Sequence, residues 1–273
     1  MIGMLHLPSQ SPKDGVVIVV GGPQYRVGSH RQFLLLARDL AASGIAAFRF
    51  DCRGMGDSDG AFPGFESLDR DIASAIDAML RAAPSIARVT LWGLCDAASA
   101  ICGYAHQDRR IKGVVLVNPW VRTEAGQART YLKHYYRQRL LDPSFWSSVL
   151  TRQFDAVASA RSLLGNLVRA FGAKRADGEP GAGNASLAER MAIGLEGFDG
   201  PVLLIISGRD LTAKEFEDVA RGSSRWRRIF AAPRLMRREL VDADHTFSRR
   251  IWRDTIAEWT REWIVERVAI RRG

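Results

Sequence analysis

An α/β fold with a mostly parallel central sheet flanked by helices is what this sequence predicts, and three observations predict it. GVVIVVG, IAAFRFD, ARVTLWG, GVVLVNP and PVLLIISG are short, almost wholly apolar runs. A strand with no polar face is covered on both sides, as parallel strands are when helices cross over them. Helical segments alternate with the first four runs, and that rhythm breaks after Pro119, where a long helical stretch precedes the fifth.

Taken in order, Gly15 to Gly21 is the first buried strand. Ser29 and Gln32 make an S-x-x-Q capping box ahead of FLLLARDLAASG, which predicts a helix from near His30 to near Gly44. The next strand runs through Asp51. Leu68, Ile72, Ile76 and Leu80 then recur every fourth residue, which gathers them on one face of a helix. ARVTLWG is the third strand, Asp96 to Tyr104 the helix after it, and the run from Gly113 the fourth strand. From Trp120 to about Gly200 the pattern is helical, then loose in FGAKRADGEPGAGNASL. Ordinary connections have a median of about 4 to 6 residues. Residues 120–200 are therefore expected to form an inserted helical cap, with a flexible loop at about 172–186, between core segments 1–119 and 201–273. A strand from Pro201, a helix after Thr212, a short strand around Arg238 to Val241 and a terminal helix after Thr246 complete the pattern.

A chain of 273 residues, 47% apolar and 25% charged, can bury a substantial core as one unit. No apolar run approaches the roughly 20 residues that cross a bilayer, and MIGMLHLPSQ lacks the basic start and long apolar stretch of a secretory signal. A cytoplasmic protein without stable membrane insertion is expected. A membrane-surface role would need a sustained basic amphipathic stretch, and none is found. Much of the net charge of +9 lies after Arg221, but its arginines are interleaved with Asp and Glu, which reads as a solvated face. No nucleic-acid module accompanies them, so no nucleic acid is expected as a partner. Cys52, Cys95 and Cys102 lack metal-ligand spacing, and no metal or other cofactor is expected. Cys95 and Cys102 would lie about 10 Å apart along a helix, too far for a disulfide; a contact between Cys52 and Cys95 stays open.

Active sites in such sheets gather at the carboxyl ends of strands. WGLCDAASA places Cys95 at a strand-to-helix turn between the small residues Gly93 and Ala97, the setting of a nucleophile elbow with cysteine in place of serine. A buried structural cysteine is the plainer alternative. Downstream, Asp210 follows LLIISG and His245 follows the next strand, in the order nucleophile, acid, base. His245 would take the thiol proton and return it to the leaving group, while Asp210 would fix the imidazole tautomer. Taken singly, Asp210 reads equally well as a helix cap and His245 as a turn residue. The N–H of Asp96 and a second N–H from Gly22 or Gln24, in the loop Gly21-Gly22-Pro23-Gln24, are the expected oxyanion donors, since Pro23 has none. The Asp96 carboxylate beside Cys95 disfavours a thiolate. The stretch D-x-R-G-x-G-x-S from Asp51 to Ser58 reads as loop architecture, with Arg53 available to pair with a carboxylate.

The GGP loop, D-x-R-G-x-G-x-S, the cysteine elbow, G-R-D and D-H-T-F, in that order, resemble an α/β hydrolase over nearly the whole chain. GGPQYRVGSHRQF, FRFDCRGMGDSDG, WGLCDAASA and NPWVRTEAGQART with KHYYRQRLLDPSFW resemble, more narrowly, the type 1 hydrolase associated with the exosortase A system. That resemblance implies the α/β-hydrolase fold, Cys95, Asp210 and His245 as nucleophile, acid and base, and a setting in bacterial exopolysaccharide production and the sorting of proteins with PEP-CTERM tails. It also implies that the chain starts at the second strand of the fold. Ala97 departs from the pattern by replacing the second elbow glycine. The cysteine also resembles that of dienelactone hydrolases. Together these imply cleavage of an ester, thioester or lactone through an acyl-cysteine, with acyl transfer to an alcohol as an alternative outcome. A non-catalytic ligand-binding protein on the same fold is the alternative of a different class. The expected partner is a small acyl, ester or glycan-related molecule. Tyr131, Tyr135 and Trp146, with Tyr136, Phe145, Lys133, Arg137 and Arg139 around them, are candidates to line its way in; the same set also reads as the buried face of a lid helix.

Overall fold

In the computed structural model the described residues are 1–22, 24–121 and 185–269. The five apolar runs become strands β2 (Asp14–Val19), β3 (Ala46–Phe50), β4 (Arg88–Leu94), β5 (Ile111–Val117) and β6 (Val202–Ser207), and the short strand expected around Arg238 to Val241 is β7 (Leu235–Leu240). Ahead of them Gly3–His6 forms β1, an edge strand absent from the sequence reading. The sheet order is β1-β3-β2-β4-β5-β6-β7. β1 runs antiparallel to β3, and every other pairing is parallel. β1 escaped notice because it is short and its Met4 is exposed, so it has no buried run to betray it.

The helices are α1 (Gln32–Ala42), α2 (Asp69–Ala82), α3 (Asp96–Tyr104), α4 (Leu187–Glu196), α5 (Leu211–Gly222), α6 (Ser224–Ala231) and α7 (Arg250–Trp263). Alternate residues of β2 enter different cores, as the two-residue period of a strand requires. Val17 and Val19 face α2 to α6, with Ile72, Met79, Ile101, Met191, Phe216 and Trp226. Val16, Ile18 and Val20 face α1 and α7, with Phe33, Leu40, Trp92, Phe247 and Trp263. The sheet is thus covered on both sides, and the fold is that of the α/β hydrolases. Of the stretch expected as a cap, only residues 120–121 and 185–200 are described. In the second of these Ser186 caps α4, accepting the Glu189 N–H, and α4 lays Ala188, Met191 and Leu195 into the core.

Two sequence expectations are corrected. The Ser29 capping box is not made: His30 and Arg31 are left-handed, with φ 53° and 60°, so Ser29 lies outside the helix. The N–H groups of Phe33 and Leu34 bond instead to the Val27 carbonyl, at 3.1 and 3.3 Å. In α2, Leu80 is only partly buried and Met79 joins Ile72 and Ile76 in the core, because the buried stripe drifts at 3.6 residues per turn. The basic face after Arg221 is laced with acids. Arg225 reaches Glu189 at 3.0 Å and also Glu196, and Arg237 reaches Glu217 and Glu239 at 2.6 and 2.7 Å. No helix among the described residues is long and apolar enough to cross a membrane.

The parallel register brings successive strands to a common end. Val19 pairs with Gly93, Leu94 with Val117, Val117 with Ile205 and Ser207 with Leu240. The segments that leave β2, β4, β5, β6 and β7 therefore emerge side by side.

Candidate active site

At the end of β4 the chain turns directly into α3, and Cys95 is the hinge, at φ 63° and ψ −124°. Such a conformation costs a non-glycine residue about 1–3 kcal/mol and persists only where its surroundings impose it. They do so here. The Cys95 N–H is tied to the Val117 carbonyl at 2.9 Å, and a Cβ on Gly93 would meet Ile101 and the Ala97 carbonyl. Ala97 is itself fully buried, so the elbow accepts only small residues on either side. All three cysteines are free, but they differ in access. Cys52 and Cys102 are buried, and burial pushes the Cys52 thiol up to about 12 and the Cys102 thiol higher still. Cys95, at the bend, is only partly buried.

Asp210 lies three residues beyond the end of β6 and is 5% exposed. Its two carboxylate oxygens do different work. Oδ1 accepts the Thr212 N–H at 2.9 Å and so caps α5, while Oδ2 lies 2.6 Å from His245 Nδ1. The helix-cap and histidine-partner expectations for Asp210 both describe it. Burial works against a charge on His245, but the Asp210 carboxylate bonded to Nδ1 and, less, the neighbouring Cys95 outweigh it and raise its pKa to about 10. Cys95, His245 and Asp210, 35 to 150 positions apart in the chain, thus form a connected set.

Sequence reasoning missed two residues beneath His245. Asn118 directly follows β5, at φ 44°, and Ser207 ends β6; both are fully buried. Asn118 Nδ2 donates to Ser207 Oγ at 2.9 Å and to the His245 carbonyl at 3.2 Å. Its Oδ1 accepts the Ser207 N–H at 2.8 Å, and Ser207 Oγ donates to the Asp244 carbonyl at 3.0 Å. Asp244 in turn collects the Thr246 and Ser248 N–H groups, both at 3.1 Å, and buried Phe247 anchors the loop from the other side. The only sequence signal was the N-P pair after a strand.

The loop after β2 is held differently. Asp51 is completely buried; it accepts the Arg26 N–H at 2.7 Å, pairs with the Arg26 guanidinium and accepts the Asp57 N–H at 3.0 Å. Arg49 adds a bond to the Arg26 carbonyl at 3.2 Å. D-x-R-G-x-G-x-S is therefore the wall against which this loop is fastened. Arg53 finds Asp71, at 2.8 Å. Of the expected oxyanion donors, the Gln24 N–H is turned into its own loop, 2.7 Å from the Gly22 carbonyl. The carboxylate of Asp96 lies against Gly21 and Gly22 and accepts the Ala97 N–H at 2.9 Å, and the N–H groups of Gly22 and Asp96 favour its charged form. Gly21 permits this approach, since a Cβ there would collide with Asp96 Oδ1.

Tyr131, Tyr135 and Trp146 lie outside the described residues. Among the described residues no cluster of three His, Cys, Asp or Glu side chains could hold a metal ion.

A family model described as serine aminopeptidase, S33 matches residues 11–162. Among solved structures the chain is similar to an esterase of Pyrococcus furiosus, at 14% identity over 94% of this chain and 84% of that one, TM-score 0.60. It is similar also to Est1E of Butyrivibrio proteoclasticus, a structure with ferulic acid bound, at 14% identity over 98% and 95% of the two chains, TM-score 0.61. A third is a putative α/β hydrolase of Agrobacterium tumefaciens, at 14% identity over 96% and 89%, TM-score 0.57. No curated protein matches the chain.

Proposed function

Because the chain belongs to the hydrolase family described as serine aminopeptidase, S33, we propose that it cleaves an ester, thioester or lactone through an acyl-cysteine on Cys95. The observation that carries this is the partly buried Cys95, held at positive φ just after β4 and near enough to His245 to raise the imidazole pKa, with His245 Nδ1 2.6 Å from Asp210. The family description speaks of serine; a thiol at the same bend attacks a carbonyl by the same route.

In the first half-reaction the Cys95 sulfur, its proton held by His245, bonds to the carbonyl carbon, and the carbonyl π pair moves onto oxygen. Asp210 holds the imidazole by Nδ1, so that Nε2 serves the reacting atoms, and stabilises the cation that results. The oxyanion collapses, the bond to the leaving group breaks, and His245 returns the proton to that group. Water, deprotonated by His245, then attacks the acyl-cysteine; the carbon–sulfur bond breaks and the thiol is restored. With an alcohol in place of water the same intermediate yields acyl transfer. The oxyanion donors are the N–H groups of Asp96 and Gly22.

Residues 120–200 form the cap in this proposal, with Tyr131, Tyr135 and Trp146 lining the way for an acyl or glycan-related substrate. The setting in bacterial exopolysaccharide and PEP-CTERM sorting systems rests on the four stretches that resemble the exosortase-associated hydrolase.

Hydrolysis of p-nitrophenyl esters of increasing chain length is the test. Wild type is expected to turn over, Cys95→Ala to be inactive, and His245→Ala to lose activity and to show slower alkylation of Cys95 near neutral pH. Turnover retained in Cys95→Ala would refute the proposal. Adding a sugar acceptor separates hydrolysis from transfer by the product formed.

A further inference from the structure

Asp96 follows the nucleophile, and its side chain does not point freely into solvent. It folds back over the first turn of α3 and lies against the β2 loop. Oδ1 accepts the Ala97 N–H at 2.9 Å and sits where a Cβ on Gly21 would be; Oδ2 is the nearest atom to a Cβ built on Gly22. The N–H groups of Gly22, Ala97 and Asp96 itself stabilise its charged form. Two of these three are the donors that an acyl oxyanion on Cys95 requires. Successive N–H groups at a helix N-terminus form a concave anion site, and here the chain supplies the anion. Burial raises the Asp96 pKa, while these N–H groups and the charge of His245 pull it down. Among the described residues no lysine or arginine pairs with it.

We propose that the Asp96 carboxylate is an internal occupant of the oxyanion site, which must turn out of the Gly22–Asp96 nest before Cys95 can be acylated. This inference rests on Cys95 acting as the acyl acceptor. When the sulfur–carbon bond forms, the carbonyl π pair goes to oxygen, and that oxygen takes the N–H groups of Gly22 and Asp96. Two anions cannot share two donors, so the carboxylate and the oxyanion exclude each other. The chain thus carries a self-made competitor at the reacting centre. Acyl donors that displace it are favoured over those that reach the sulfur without entering the nest.

The test compares two reactions of the same sulfur in the full-length protein. Alkylation by iodoacetamide forms no oxyanion, whereas acylation by p-nitrophenyl acetate does. Emptying the nest therefore raises the ratio of acylation to alkylation, while a mere charge effect on the thiol moves both rates together. In Asp96→Ala the ratio is expected to rise by about tenfold or more, because one oxyanion donor alone is worth about 10²–10³ in rate. Asp96→Asn keeps the shape and removes the charge, and is expected to show a smaller rise. In Asp96→Ala the vacated nest should also take acetate, which would slow acylation selectively there and not in wild type. An unchanged or lower ratio in both variants, with Cys95 still acylated, would overturn the inference and leave the acyl-cysteine standing. No acylation of Cys95 in any of the three proteins would overturn both.

Discussion

Two loops flank Cys95, and they are fastened by different chemistry. The loop after β7, which carries His245, rests on a neutral network: Asn118 and Ser207 hold the backbone carbonyls of Asp244 and His245. The loop after β2, which carries Gly22, is fastened by charge, with Arg26 paired to fully buried Asp51 and Arg49 bonded to the Arg26 carbonyl. A neutral network fixes where a side chain starts and leaves its own charge free to change. A buried ion pair fixes a backbone at the cost of making each partner depend on the other. The first suits a histidine that must gain and lose a proton, and the second suits backbone donors that must stay still.

The largest effect is expected at the charged fastening. Asp51→Ala leaves the Arg26 guanidinium only its exposed partner Asp57, at 2.7 Å, and strips the Arg26 and Asp57 N–H groups of their acceptor, and a loss of about 3–5 kcal/mol is expected in urea unfolding. A loss under about 1 kcal/mol would mean that the loop is held by something else. Next is Asn118→Ala, which strips the Ser207 N–H and the His245 carbonyl of their partner. A loss of about 1–3 kcal/mol is expected, with slower Cys95 alkylation as His245 loses its seat. An unchanged alkylation profile would separate Asn118 from His245.

A third effect follows pH. His245 has its pKa raised from the usual 6.5 to about 10. A raised pKa contributes stability that is complete below the unfolded-state value and lost as pH climbs through the folded-state one. The melting temperature of wild type minus that of His245→Asn should thus be constant below about pH 6.5 and shrink toward pH 10. A difference that grows over this range would contradict the sign. The smallest effect is expected at the exposed ion pairs. Arg225→Ala, which removes contacts with Glu189 and Glu196, should cost no more than about 1 kcal/mol. A cost equal to that of Asp51→Ala would erase the distinction between buried and exposed charge on which the comparison stands.

The sheet and the elbow were legible because their signals are local. GVVIVVG has no polar face to hide, and Gly93-Leu94-Cys95-Asp96-Ala97 spells a turn in small residues. The α3 helix falls on the predicted Asp96 to Tyr104. β1 lacked such a run. The start of α1 misled because a capping pattern records which residues are present, whereas the left-handed His30 and Arg31 determine where the helix begins. The fastening of the loops was beyond reach for another reason. Arg26 and Asp51 lie in different loops, as do Asn118, Ser207 and His245, and no spacing rule joins them. For Asp96 the sequence disclosed a carboxylate beside a thiol; where that carboxylate points depends on a rotamer and on the bare backbone of Gly21.

The central claim is that Cys95 takes up an acyl group. Intact-protein mass spectrometry after rapid mixing with p-nitrophenyl acetate tests it most directly, with peptide mapping to locate the adduct. One added acetyl group on Cys95, accumulating in His245→Ala no faster than in wild type and absent from Cys95→Ala, is the predicted result. An adduct on another residue, or ester turnover with Cys95 unmodified at every time and undiminished in Cys95→Ala, would contradict it.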